Sequence, residues 1–222
     1  MLCENVDDAG KLVKEAFKLR EEGRNEQAKE KFFELFNLYK DTILGYAAEM
    51  LFMAAACANP KEAIKYYEMV AELSYSRRDF QFAITALENA IKCCNWLGDL
   101  TKIAEFKIEI NKITQDIPHN LEECFAELKR QLDPKQLEAF KNLKKEELRK
   151  CHLGLGMRIR NSWGLWHYSH LAKYLANKGF RHPDSMSSEI LLKFQRHLGN
   201  KQSEERAFRR KERRRVEYYR IN

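Results

Sequence analysis

The chain has 222 residues, of which 44% are hydrophobic and 33% are charged, so it is long enough to bury one large core or two small ones. This composition excludes disorder along the whole chain. No run approaches the roughly 18 uncharged apolar residues of a membrane span, and the start MLCENVDDAG lacks the basic and apolar zones of a secretory signal. We therefore expect a cytoplasmic protein without a membrane span.

The six cysteines fit that compartment. They are scattered and contain no Cys-x-x-Cys pair, so the sequence predicts neither a disulfide framework nor a zinc site. We expect buried free thiols. Cys151 beside His152 is a poor candidate for an activated nucleophile, because neighbours in sequence seldom have the required geometry.

Charge is distributed unevenly. Residues 1–116 carry 16 Lys or Arg against 20 Asp or Glu, a net charge of −4, whereas residues 117–222 carry 24 against 13, a net charge of +11. Pro118 and Asn120 interrupt the helical pattern where the sign changes. The sequence therefore predicts helical repeats over 1–116, a small helical module over 117–200 and a basic tail helix over 201–222.

Two helices joined by a turn are predicted over residues 9–39. Apolar residues recur every three or four positions on both sides of the segment EEGRNEQ, which is typical of an amphipathic hairpin. Gly23 can adopt the positive φ that ends the first helix, and we expect Asn25 to cap the second.

The hairpin recurs twice, with turns at Asn59-Pro60 and at Gly98-Asp99. The corresponding positions are small or apolar and lie 35 and 40 residues apart: Ala28, Ala63 and Ile103. A repeat of this length is expected of stacked helical hairpins.

The first hairpin, LVKEAFKLREEGRNEQAKEKFFEL, resembles a tetratricopeptide repeat. Ala16, Gly23, Ala28 and Phe32 stand at the small, turn, small and aromatic positions of that family. Ile103 departs from the pattern, since alanine is usual there. The resemblance implies an all-α, irregular array of hairpins whose concave face can meet a peptide or a helix.

The segment LDPKQLEAFKN opens the second half with a predicted capping box, in which Asp133 precedes Pro134 and Gln136. Further on, HPDSMSSEILLKFQRHL predicts a helix with a continuous apolar stripe. We expect Asp184 to cap that helix.

The intervening segment, GLGMRIRNSWGLW, does not match a phosphate-binding loop. The third glycine of a dinucleotide fingerprint and the Gly-Lys-Ser or Gly-Lys-Thr of a P-loop are both missing. We expect Met157, Ile159 and Trp163 to face inward, and Arg158 and Arg160 to reach outward.

GLGMRIRNSWGLW followed by HPDSMSSEILLKFQRHL also resembles a small bacterial domain family of unknown function, over about 65 residues. The resemblance implies no activity, cofactor or substrate. It points to binding residues where the family pattern lies: Arg158, Arg160, Asn161, Trp166, His182 and Asp184.

No catalytic arrangement of recognised spacing is evident. His167 and His170 can share one helix face, and His182 with Asp184 could add ligands, but the set contains no three-ligand metal motif. A pocket of arginine and histidine that binds an anion or a partner's carboxylate is the better alternative. The sequence thus favours a protein without enzyme activity, metal or cofactor.

The tail carries nine Lys or Arg against four Glu over residues 201–222. It can bind nucleic acid or an acidic surface, or it can be a solvated helix. The candidate nucleic-acid contacts are its clustered cations: Arg209, Arg210, Lys211, Arg213, Arg214 and Arg215.

These patterns favour an interaction adaptor whose repeats bind a protein or peptide and whose second half gives another contact. Nucleic-acid binding through the basic half is the main alternative. A scaffold that forms a homo-oligomer and an enzyme built around Arg158, Arg160 and His182 are the others.

Overall fold

A computed structural model describes residues 2–167 and 169–199, with side chains from residue 9 onward. Within these residues the fold is all-α, as predicted. The chain divides into two compact units, and the boundary along the chain lies between Ile117 and Pro118. None of the described helices is long and apolar enough to cross a membrane. The predicted basic tail, 201–222, lies outside the described residues.

The first unit contains three antiparallel hairpins. Each hairpin has a buried residue at the fourth position of its second helix: Ala28, Ala63 and Ile103. At the first two hairpins this residue is an alanine, whose small side chain lets the helices approach closely. The helices are α1 Leu2–Glu21, α2 Asn25–Tyr39, α3 Leu44–Cys57, α4 Pro60–Ser76, α5 Phe80–Leu97 and α6 Leu100–Asp116.

The hairpin turns follow the sequence, with one exception. Gly23 and Gly98 have φ values of +74° and +71° and end their helices as predicted. Asn25 does not cap α2. The carbonyl of Arg24 already accepts the first helical bond from the Ala28 amide, so Arg24 occupies the cap position and Asn25 is the first helical residue.

Charged pairs join the second helices of successive hairpins. Lys29 on α2 donates to Glu62 on α4 at 3.0 Å, and Lys102 on α6 donates to Glu68 on α4 at 2.6 Å. These pairs lie at the margin of an otherwise apolar core. The aliphatic part of each lysine packs against that core, and its ammonium group extends to the glutamate.

The second unit is built from shorter helices around Trp163, Phe194 and Ile190, all fully buried. The predicted capping box at Asp133 is confirmed: its side chain accepts from the Gln136 amide at 2.8 Å. The helices are α7 Leu121–Gln131, α8 Pro134–Lys141, α9 Lys145–Lys150, a π-helical turn His152–Gly156, α10 Met157–Ser162, α11 His170–Ala176 and α12 over 183–199.

The start of α10 corrects part of the sequence prediction. Ile159 and Trp163 face inward as expected, but Met157 is half-exposed. The physical reason is the spacing within α10: Met157 is two positions before Ile159 and lies nearly opposite it on the helix, whereas Trp163 is four positions after Ile159 and shares its face. The π-helical turn before α10 is closed by the Gly156 amide, which donates to the Cys151 carbonyl five residues back at 2.8 Å.

Candidate functional site

Asp184 lies at the centre of a side-chain network in the second unit. Its Oδ1 is 3.0 Å from Nε of Arg160 and 3.3 Å from Nε2 of His152, and its Oδ2 is 3.4 Å from Nδ1 of His182. The π-helical turn, α10 and the start of α12 position these groups. Residues up to 32 positions apart in sequence therefore meet at one carboxylate.

Arg160 does not reach outward as predicted. It is 6% exposed. Besides the ion pair, its Nη1 donates to Ser187 Oγ at 3.0 Å, and both Nη atoms lie 3.4 Å from the His152 carbonyl. The guanidinium has five donors, and the ion pair and these acceptors provide the partners that burial requires.

Gly156 makes room for this buried arginine. A Cβ at Gly156 would lie 3.3 Å from Nη1 of Arg160 and 3.4 Å from the Cys151 carbonyl oxygen, which is tighter than most Cβ contacts. The second glycine of the GLG segment thus serves close packing, as expected. A Cβ at Gly154 would meet no atom within 4 Å, so the prediction that this glycine allows close packing is wrong.

His152 links Asp184 to Ser188. Nδ1 of His152 is 3.4 Å from Nη1 of Arg160 and 3.5 Å from Oγ of Ser188. Because a guanidinium can only donate, Nδ1 must accept. The remaining ring proton therefore lies on Nε2 and faces the Asp184 carboxylate.

His182, not Asp184, occupies the cap of α12. The Met186 amide donates to the His182 carbonyl at 3.0 Å, and the Asp184 amide lies 3.2 Å from His182 Nδ1. The prediction that Asp184 caps this helix is wrong because its carboxylate turns toward Arg160 instead.

Trp166 forms an exposed extension of the network. Its Nε1 donates to Asn161 Oδ1 at 3.1 Å, and its ring meets the His182 ring edge-on with centroids 5.8 Å apart. Trp166 is 48% exposed, in contrast to the fully buried Trp163. Arg158 lies on the exposed side of α10.

A cavity of about 390 Å³ adjoins the network. His152 and Ser188 belong to both, so the wall of the cavity is braced by the Asp184 cluster. Its lining combines leucines with two cations and two polar groups: Lys145, Leu148, Arg149, His152, Ser188, Leu191 and Leu192.

Sequence reasoning missed this cavity and the part that His152 plays in it. In the sequence, His152 stands out only as the neighbour of Cys151, whose thiol pKa is raised by burial and which is therefore a poor thiolate nucleophile. The one nearby sequence feature is the segment Gly154-Leu155-Gly156, which predicts close packing of the backbone but does not indicate which side chains His152 contacts.

His152 and Ser188 are not arranged as a base and a nucleophile. Ser188 is at the limit of hydrogen-bond distance from His152, and Arg160 competes for the same ring nitrogen, so His152 is not placed as a base for that hydroxyl. Across the part of the chain that is described, no group of three or more His, Cys, Asp or Glu is placed to hold a metal ion. The ring of His170 lies beside that of His119 at a tilt of 44°, with centroids 5.1 Å apart.

The clustered cations predicted to contact nucleic acid, Arg209 to Arg215, lie outside the described residues. Comparison with curated proteins and with solved structures gives no match. Residues 117–198 match a family model described as Domain of unknown function (DUF6794), whereas the tetratricopeptide likeness stays a resemblance. The chain therefore carries a DUF6794 domain at 117–198, preceded by stacked helical hairpins.

Proposed function

We propose that the protein is a non-catalytic interaction adaptor. Its first unit binds a basic, partly apolar segment of a protein partner, and its second unit supplies another contact. The observation that carries the proposal is an acidic groove with an exposed apolar floor on α6.

The groove lies along α6 and the end of α4. Its volume is about 630 Å³, within the range of ligand sites. Ile108 is 63% exposed there, although isoleucine is one of the most commonly buried residue types. The lining contains three carboxylates and one cation: Tyr75, Glu105, Ile108, Glu109, Lys112, Ile113, Gln115 and Asp116.

Glu109 of the groove lies near two further carboxylates, those of Glu72 and Glu68 on α4. The pKa of Glu109 is raised, first by burial and then by these two negative charges, and Lys112 lowers it in part. A lysine or arginine of a partner would relieve this repulsion and stabilise the ionised form. Charge complementarity of this kind favours a basic partner.

An exposed apolar stripe continues from the groove. Leu100, Ala104 and Ile108 are spaced by four residues on α6 and are all exposed, so they lie along one helix face. Contiguous exposed apolar surface is typical of interaction sites. The stripe gives the partner segment an apolar surface beside the carboxylates.

The second contact is the face formed by Trp166, Asn161 and His182. Tryptophan is enriched among residues that dominate binding energy. Trp166 is 48% exposed and is held in place by its hydrogen bond to Asn161. This face also contains three of the six positions at which the sequence predicts binding residues.

The test is affinity purification of the full chain from its native host, compared with a Glu105→Lys, Glu109→Lys double variant. Glu88→Lys, an exposed change on α5, is the matched control. We expect reproducible partners with the wild type and with Glu88→Lys, and their loss from the double variant. Recovery of no reproducible partner, or of the same partners with all three proteins, would contradict the adaptor.

Nucleic-acid binding is the second candidate, favoured by the net charge of +11 over residues 117–222. Phosphate neutralisation makes affinity fall steeply with salt. Gel-shift titration at low salt should then show binding that weakens about equally for all sequences when residues 203–222 are removed. Absence of binding to both DNA and RNA would exclude this alternative.

A further inference from the structure

We propose that the cavity beside the Asp184 network binds a small amphiphilic carboxylate, with its apolar tail among the leucines and its carboxylate held by Arg149, Lys145 and Ser188. This site is independent of the adaptor function, because it uses none of the residues assigned to partner contacts.

The apolar part of the cavity fits a tail. Leu148, Leu191 and Leu192 line a volume of about 390 Å³, toward the lower end of the range for small-molecule sites. Leu191 is buried and belongs to the core, so this part of the wall is fixed by the packing of α12. A linear or compact apolar body is the shape that such a space accepts.

The polar part of the cavity fits a carboxylate. Lys145 and Arg149 are four residues apart on α9 and therefore lie on one helix face. Both are exposed, and within the described part of the chain no carboxylate pairs with either of them. An arginine can bind a carboxylate through two parallel hydrogen bonds.

Ser188 supplies a third donor because of the network behind it. Oγ of Ser188 is 3.5 Å from His152 Nδ1, at the limit of hydrogen-bond distance, and Nη1 of Arg160 is a second donor 3.4 Å from the same nitrogen. The hydroxyl proton of Ser188 is therefore not committed to His152 and can turn into the cavity. Asp184 then acts as a positioning residue behind His152, which itself lines the cavity beside Ser188.

The charge balance at the cavity excludes a cationic ligand. The Asp184 carboxylate, the nearest acid in the network, is already neutralised by buried Arg160. The two cations at the cavity are not neutralised by the described carboxylates. A single carboxylate beside them adds opposite charge at the edge of an apolar volume, where such contacts are stronger than in water.

Calorimetric titration of the full chain with octanoate tests the site. We expect saturable binding, at least tenfold weaker binding of octanol, and about a tenfold loss for hexanoate, which buries two fewer methylene groups. Equal affinity for octanoate and octanol would refute carboxylate recognition. No detectable binding of octanoate at millimolar concentration would refute the site altogether.

Variants assign the contacts. Arg149→Gln and Ser188→Ala should each weaken octanoate binding about five- to tenfold, and Ser188→Phe should abolish it by filling the cavity. Lys150→Gln, an exposed change on the same helix outside the lining, should bind as the wild type does. Circular dichroism and thermal unfolding confirm that each variant is folded. If Arg149→Gln and Lys150→Gln weaken binding equally, the attraction is general surface charge and the site is wrong.

Discussion

The two units of this protein bury polar groups in different ways. In the repeat unit the core is a periodic pattern of alanines, aromatic rings and aliphatic residues, and Lys29 reaches its partners at the edge of that core. In the second unit a whole guanidinium, that of Arg160, lies inside and is satisfied by groups from two elements, the π-helical turn and α12. The first unit thus keeps a charge at the margin of its apolar core, and the second unit has a paired charge inside its core.

This difference has a consequence for substitutions. A periodic apolar core loses stability in proportion to the volume removed. A buried charge makes the response depend on which partner remains, because an uncompensated charge is worse than no charge. The following predictions test that contrast, beginning with the largest effect.

Trp163→Ala should lower the free energy of unfolding by about 3 to 5 kcal/mol, since a fully buried tryptophan leaves a large cavity. Denaturant unfolding followed by circular dichroism measures the loss. The other two tryptophans are matched controls: Trp96 in the repeat unit is 86% exposed and Trp166 is 48% exposed. Trp96→Ala should leave stability unchanged, and Trp166→Ala should have a small effect. A loss for Trp163→Ala no larger than for Trp96→Ala would show that the second unit does not depend on this core.

Asp184→Ala should cost about 1 to 3 kcal/mol, because it removes the carboxylate from buried Arg160 and leaves a donor unsatisfied. The expected loss of stability is smaller than for a fully buried ion pair, because the Asp184 side chain is 43% exposed. Arg158→Ala, on the exposed side of the same helix as Arg160, should change stability by no more than about 0.5 kcal/mol.

The double variant Arg160→Met, Asp184→Leu sharpens the same test. Removing both charges together should recover much of the stability lost by Asp184→Leu alone, because no buried charge is left without a partner. Thermal and denaturant unfolding of the wild type, Arg160→Met, Asp184→Leu and the double variant gives the coupling between the two sites. A double variant as unstable as the two single losses combined would mean that Arg160 and Asp184 act independently.

The contrast between the units also explains what the sequence could predict. The hairpins, the turns at Gly23 and Gly98 and the buried position of Ala28 all follow from local periodicity and from glycine at positive φ. The same is true of the capping box at Asp133, whose partners lie three residues apart.

The network could not be predicted in this way. His152 and Arg160 lie on either side of a π-helical turn, and no periodicity in the sequence indicates that turn or the contact of both residues with Asp184 far along the chain. Helical spacing places Arg160 on the same face as Ile159 and Trp163, and its charge, not its position, is the basis of the prediction that it reaches outward. The six predicted binding positions lie in or near the network, but the sequence did not predict which of these side chains are buried or that His152 takes part.

The smallest expected effect concerns the charged pair that joins two hairpins. Lys29 bonds Glu62 at 3.0 Å and also Glu26, and these hydrogen bonds raise the pKa of Lys29. The bond from Lys29 in turn lowers the pKa of Glu62 below its ordinary value of 4.5. Lys29→Met should therefore reduce stability near pH 7 by up to about 1 kcal/mol, since the methionine keeps the packing of the stem but not the charge.

The pH dependence of that loss identifies its cause. Because the pKa of Glu62 is lower in the folded state than in the unfolded state, the pair contributes stability above about pH 4.5, and this contribution is lost as the pH falls through the folded-state pKa. The difference in unfolding free energy between wild type and Lys29→Met should therefore shrink in acid. Lys31→Met is the matched control on the same helix: its pair with Glu34 is longer, at 3.5 Å, and more exposed, so its difference should be near zero at every pH. A Lys29→Met difference that stays constant from neutral to acidic pH would mean that the lysine stem stabilises the hairpins by packing alone, and that the repeat unit gains nothing from the charged pair at its margin.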